Sequence, residues 1–160
     1  MQVGLNSLVH AELARHVPEC RAFYAARGER RGPASLEELR TARAELVPAS
    51  LPDGVTVEVA VDASGQEVPL RIFMPKNTAV RGVYLDIPGG GFYLGSTVGA
   101  DTRNAALAES LGIAVVSVDY RLAPENPWPA APDDCEAAAL WIIDHAEVRF
   151  GTTRLAIGGS

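Results

Sequence analysis

An α/β fold, with a helical segment ahead of an antiparallel hairpin and then parallel strands, is predicted by three features of this sequence. The apolar spacing changes from a helical period to a period of two at Val55; a strand, a helix and a strand follow one another between Val83 and Val118; and two apolar strands run straight into glycines, at Gly89-Gly90-Gly91 and at Gly158-Gly159-Ser160. A strand, helix, strand order of this length implies a crossover between parallel strands. Two segments result, a helical one over residues 1–50 and a sheet-forming one over residues 51–160.

From Leu5 to Ala26 the apolar residues Leu5, Leu8, Val9, Leu13, Val17, Phe23 and Tyr24 follow a helical period that Pro18 divides in two. Ser35 opens a cleaner helix with Glu38 as capping-box partner and Leu36, Leu39 and Leu46 on one side, closed by Pro48. Val55, Val57, Val59 and Val61 then alternate with polar or small residues as a half-exposed strand, and the turn Asp62 to Gln66 returns the chain through Val68 to Met74 as an edge hairpin, with Pro69 and Pro75 suited to an edge and a strand end. A strand over Val83 to Ile87, a helix from Ala100 to Leu111 stopped by Gly112, and a strand from Ile113 to Val118 come next. After a proline-rich loop, Asp133 is positioned to cap a helix running to about Val148, whose apolar side holds Cys135, Ala138, Ala139, Ile142 and Ala146. The strand Arg154 to Ile157 completes a third parallel unit, and its exposed edge predicts aggregation.

Composition narrows the function. With 48% hydrophobic and 21% charged residues the chain is globular rather than disordered. A net charge of -6 argues against a nucleic-acid partner, and the cluster Arg27-Gly28-Glu29-Arg30-Arg31 is read as a solvated helix end. Cys20 and Cys135 lack metal-type spacing and suit free thiols in a reducing compartment. With neither a leader pattern nor a run of about 20 apolar residues, the expected location is cytoplasmic, with no membrane partner. Nothing in the residue pattern asks for a cofactor or a metal.

Three glycines after a buried strand let backbone N–H groups converge with no side chain in the way, which suits an oxyanion; a tight strand-to-helix turn would use the same residues. Dinucleotide binding, suggested by Gly89, Gly91, Gly95 and Asp119, fails on glycine spacing, on the bulk of Phe92 and Tyr93, and on the hairpin ahead of the first candidate strand.

The segments Ile87-Pro88-Gly89-Gly90-Gly91-Phe92-Tyr93-Leu94-Gly95-Ser96 and Asp119-Tyr120-Arg121-Leu122-Ala123-Pro124-Glu125, together with the terminal Gly-Gly-Ser, resemble the hormone-sensitive-lipase-like esterases of the α/β-hydrolase fold. The resemblance runs from about Val55 to the end and implies the first half of such a sheet, with the preceding helices forming part of a cap. It implies a serine carboxylic-ester hydrolase for small or short-chain esters, with Gly89 and Gly90 supplying oxyanion-hole N–H groups and Gly159 at the nucleophile elbow. Two registers fit that elbow. In the favoured one Ser160 takes the place of the acid before the nucleophile; in the other Ser160 is the nucleophile. This family usually has His where this chain has Pro88, and that departure keeps a non-catalytic ligand-binding protein on the same fold as the alternative.

A triad needs a His within reach of the nucleophile and an acid to orient it. His10 and His16 fall in the early helices and His145 late in another, so the triad acid and His are expected beyond residue 160 and these 160 residues are expected to be inactive alone. Asp119, Arg121 and Glu125 are read as structural, Tyr120 and Arg121 bracing the loop. Asp133 and Asp134 are read as a helix cap and first-turn charge, and Trp128 and Trp141 as packing residues.

Overall fold

The computed structural model describes residues 11–27, 32–45, 54–76 and 78–159. Two compact units are distinguished, Met1–Ala34 and Ser35–Ser160. The first holds α1 (Ala11–Ala14) and α2 (Val17–Ala26). Pro18 lies in the first turn of α2, where its missing N–H costs nothing, so the break falls just ahead of it at Arg15 and His16.

The second unit starts with α3 (Leu36–Ala44), so this helix groups with the sheet although its sequence pattern matches the helical segment before it. Ser35 caps it in extended conformation, accepting the Glu38 N–H at 3.1 Å. The helix ends at Ala44, earlier than the Pro48 stop; Leu46 and Pro48 lie outside the described residues.

The sheet contains β1 (Val55–Val61), β2 (Glu67–Phe73), β3 (Val83–Ile87), β4 (Ala114–Val118) and β5 (Leu155–Gly159), in the order β1-β2-β4-β3-β5. β2 is antiparallel to β1 and β4, whereas β3 runs parallel to β4 and β5. The hairpin turn closes because Asp62 Oδ1 accepts the N–H groups of Ser64 and Gln66, each at 2.8 Å, and the Ser64 hydroxyl at 2.6 Å. β2 is interior rather than an edge. Pro69 is tolerated because it pairs with Val59 of β1 beyond the last β4 partner of the ladder, Leu70 opposite Val118.

Alternation along the strands creates two cores. α5 (Ala130–Phe150) covers one face, where Leu70, Ile72, Leu85, Val116 and Val118 meet Ala138, Ile142 and Phe150. α4 (Asp101–Leu111), entered through a 3-10 turn at Thr97–Ala100, covers the other, where Ala108 meets Phe73 and Val115. Each fully buried aliphatic side chain contributes about 1.5–3 kcal/mol of transfer free energy. β4 is buried throughout, with Val115 and Val116 serving opposite cores. In β1 the valines lie on the open face: Val57, Val59 and Val61 are 45%, 45% and 60% exposed. Register explains this, because Ala60 on the opposite side packs toward α5, and Arg149 of that helix reaches Glu58 at 2.7 Å.

α5 begins at Ala130 with Pro129 at its N-cap and no side-chain cap, so Asp133 is a first-turn residue and not the cap. It ends at Phe150, where Gly151 takes a left-handed φ of 72°. Among the described residues β5 pairs only with β3, and Leu155 and Ile157 are exposed. No helix among the described residues is long and apolar enough to cross a membrane.

Candidate active site

β3 lies between β4 and β5; the chain crosses from β3 to β4 through α4 and then reverses direction, passing from β4 over β3 to β5 through α5. The carboxyl ends of parallel strands at such a reversal form a crevice. Pro88 to Gly95 leave β3 there, beside the end of β5, where Ile87 stands opposite Gly159. Gly89, Gly90, Phe92, Tyr120, Gly158 and Gly159 line a common cleft of about 430 Å³. Ser160 lies outside the described residues. A larger depression of about 520 Å³ lies away from the glycines, between the hairpin turn and the start of α5, and is walled by Asp62, Asp133 and Glu136.

The loop folds tightly on itself. Gly90 has φ +138°, and a Cβ there would stand 1.5 Å from the Leu94 carbonyl oxygen; at Gly95, φ +100°, a Cβ would stand 2.2 Å from that of Gly89. These glycines are therefore required by backbone packing whatever else they do. The Gly90 carbonyl accepts Leu94 N–H at 2.8 Å and Tyr93 N–H at 3.4 Å. Phe92, at φ 67°, is the only non-glycine residue with positive φ among the described residues, and its carbonyl accepts Ala123 N–H at 2.9 Å.

The buried Tyr120 hydroxyl donates to the Pro88 carbonyl at 2.6 Å. Burial, and secondarily the neighbouring Cys135, push the Tyr120 hydroxyl above its ordinary pKa and keep it a donor. In a trans peptide the carbonyl and N–H point opposite ways, so the hydroxyl that draws the Pro88 carbonyl turns the Gly89 N–H the other way. Among the described residues neither the Gly89 nor the Gly90 N–H has an acceptor. At the end of β5, a Cβ on Gly158 would meet the Tyr84 hydroxyl at 2.6 Å and one on Gly159 the Ile87 carbonyl oxygen at 2.4 Å. At Gly159 the obstacle is backbone, so only glycine lets the ends of β3 and β5 approach so closely there.

Beneath the loop, the fully buried Asp86 accepts from Arg103 Nη2 at 2.6 Å, Asn104 Nδ2 at 2.9 Å and the Ser117 hydroxyl at 2.9 Å. This cluster, and the buried pair of Arg71 with Asp101, lay outside the sequence reading. A lone Asp inside the apolar run Val83–Ile87 was the available signal, since a buried carboxylate needs partners.

Asp119, Arg121 and Glu125 do not gather into an acid/base group. Asp119 accepts from Thr97 Oγ1 at 3.4 Å, Arg121 bonds Asp134 and Asp62, and Glu125 bonds Arg43 at 2.8 Å. The Arg43 hydrogen bond holds the Glu125 carboxyl below its usual range. Asp134 is no first-turn surface charge: it is 1% exposed, faces the sheet side of α5 and accepts both the backbone N–H and the guanidinium of Arg121. Trp128 is 81% exposed, contrary to a packing role, because Pro127 and Pro129 hold it on the loop ahead of α5. Trp141 packs on the core and stacks on His145 at 4.6 Å. His145 Nδ1 is 2.7 Å from the Trp141 carbonyl oxygen, and His16 contacts Arg15 and Glu19; His10 lies outside the described residues. Among the described residues no histidine lines the cleft. Among the described residues no cluster of His, Cys, Asp or Glu could hold a metal ion.

Residues 84–160 match the alpha/beta hydrolase fold family. The chain is 34% identical over 113 residues to an arylesterase of Saccharolobus solfataricus, covering 69% of this chain and 37% of the relative. It is 37% identical over 112 residues to the esterase LipI of Mycobacterium tuberculosis, covering 68% and 35%. Among solved structures it resembles a bacterial heroin esterase, with 38% identity, a TM-score of 0.62, and coverage of 89% of this chain and 42% of that one. The chain thus spans roughly a third of the length of the curated relatives it matches, 28% to 37% in these comparisons.

Sheet order, crossovers and the family match together make this an α/β-hydrolase-fold protein. Within that fold the chain resembles the hormone-sensitive-lipase-like esterases, of which it matches the N-terminal portion.

Proposed function

We propose that this chain supplies the oxyanion-binding part of a serine carboxylic-ester hydrolase acting on small or short-chain esters. The observation that carries the reading is the shared cleft, where Gly89 and Gly90, whose amides have no acceptor among the described residues, lie beside Gly159 at the end of β5. A serine at the turn after Gly159, Ser160 in one register and the following position in the other, attacks the ester carbonyl. The negative charge developing on the carbonyl oxygen is met by the Gly89 and Gly90 N–H groups, a preorganised donor set that costs no reorganisation during reaction. A His base takes the serine proton and returns it to the departing alcohol, leaving an acyl-enzyme that water then hydrolyses.

His145, whose ring is engaged with Trp141, does not supply the proton shuttle in this reading, and the 160 residues alone are expected not to turn over ester. In this reading α3 serves a capping role, supported by its contact with the glycine loop. Cys20 and Cys135 are free thiols, which favours the cytoplasm as the location.

The test joins this chain to the region of a related esterase that follows the matched segment and assays p-nitrophenyl butyrate. Turnover is expected, and Gly90→Ala, whose Cβ would collide with the Leu94 carbonyl oxygen, should lower kcat about a hundredfold or more by displacing the loop and its N–H donors. A folded fusion without turnover overturns the reading. If that fusion still binds the ester, the ligand-binding alternative, favoured by Pro88 in place of His, takes over.

A further inference from the structure

We propose that Arg43 is a positioning residue for the glycine loop, an inference that rests on the oxyanion reading above. Its guanidinium makes three contacts with one rigid plane. Nε donates to the Tyr93 carbonyl at 2.9 Å, Nη1 to the Glu125 carboxylate at 2.8 Å, and Nη2 to the Ala123 carbonyl. Two of the three acceptors are main-chain oxygens, so the contact fixes backbone as well as pairing charge. A partly exposed ion pair with Glu125 alone would be worth little.

The route from Arg43 to Gly90 is one peptide unit long. The Tyr93 carbonyl held by Arg43 and the Leu94 N–H belong to the same planar peptide, and that N–H donates to the Gly90 carbonyl at 2.8 Å. If the Tyr93 carbonyl rotates away from the guanidinium, Leu94 N–H leaves Gly90. The other arm of the fork acts on the same loop, because Ala123, whose carbonyl Arg43 holds, donates its own N–H to the Phe92 carbonyl at 2.9 Å. Glycine residues at 89, 90 and 91 bring little intrinsic stiffness, so the loop's shape depends on such pins. Tyr120 pins its start at Pro88 and Arg43 pins its end at Tyr93. A lysine ammonium lacks the planar fork that spans these acceptors.

Amide hydrogen exchange in the 160-residue chain tests this without reference to activity. In Arg43→Ala, and in Arg43→Gln, which keeps part of the aliphatic stem, the Leu94 and Ala123 amides should exchange about tenfold faster or more, with Leu85 and Val116 in the core within about twofold. Arg43→Lys should not restore the protection. Unchanged Leu94 exchange, equal acceleration of the core, or full rescue by Lys would each overturn the proposal. In the active fusion, Arg43→Ala should lower kcat about tenfold with KM within about twofold, because displaced donors act on the transition state. A raised KM with kcat unchanged would count against it. An inactive parent fusion refutes the esterase reading, while the exchange measurement still decides the role of Arg43.

Discussion

Asp134→Ala tests the argument that a carboxylate hidden under α5 holds the Asp119 to Pro129 segment in place. Its oxygens accept Arg121 N–H at 2.7 Å, Nε at 3.0 Å and Nη2 at 2.6 Å, while Nη2 also reaches Asp62 at 2.8 Å. Removing one partner of a buried pair costs about 3–5 kcal/mol, because the other charge is left without compensation. The lower end applies, since the Arg121 side chain is 27% exposed and keeps Asp62 and water as partners. The expected loss is therefore about 3 kcal/mol, which for a unit of this size lowers Tm by about 10 °C. Asp134→Asn, which keeps one acceptor and loses the charge, should cost roughly half as much. Urea unfolding followed by circular dichroism, with an unchanged m-value, measures both. A loss below about 1 kcal/mol for Asp134→Ala, or simple additivity of Asp134→Ala with Arg121→Ala, would refute the reasoning.

Asp62, held at about 2 chiefly by the Ser64 hydroxyl and then by the Gln66 N–H, stabilises the folded chain above the ordinary carboxylate pKa of about 4, and that contribution is lost as pH falls through about 2. Urea midpoints measured between those pH values should fall less steeply in Asp62→Asn than in the parent chain. Cys135 is pushed up to about 11, mainly by burial and then by the charge of Asp134, whereas Cys20 is exposed. At pH 8 a disulfide reagent such as DTNB should label Cys20 first and Cys135 about tenfold more slowly or less; equal rates would contradict the burial argument.

Much of the sheet was legible because its signals are local. The period of two from Val55, the glycine stop at Gly112 and the Ser35 cap each depend on a few consecutive residues, and the strands and helices stand close to where those signals lie. The candidate cleft was legible through its glycines, but for an incomplete reason. Gly90, Gly95 and Gly159 are each required by a backbone neighbour that the fold brings against them. Which face of β1 is covered was not legible, because alternation reveals two faces without saying which one a helix will cover.

By itself the sequence determined the order of elements, the parallel crossovers and the positions of the two glycine bends, since these follow from hydrophobic period, propensity and chain connectivity. Tertiary structure alone decided that Asp134 is a buried clamp and not a surface charge, that Asp86 sits in a polar cluster beneath the loop, and that Arg43 joins Tyr93, Ala123 and Glu125. Those partners lie far apart along the chain. A charged side chain carries no mark of its distant counterpart until packing removes water and makes the pairing necessary.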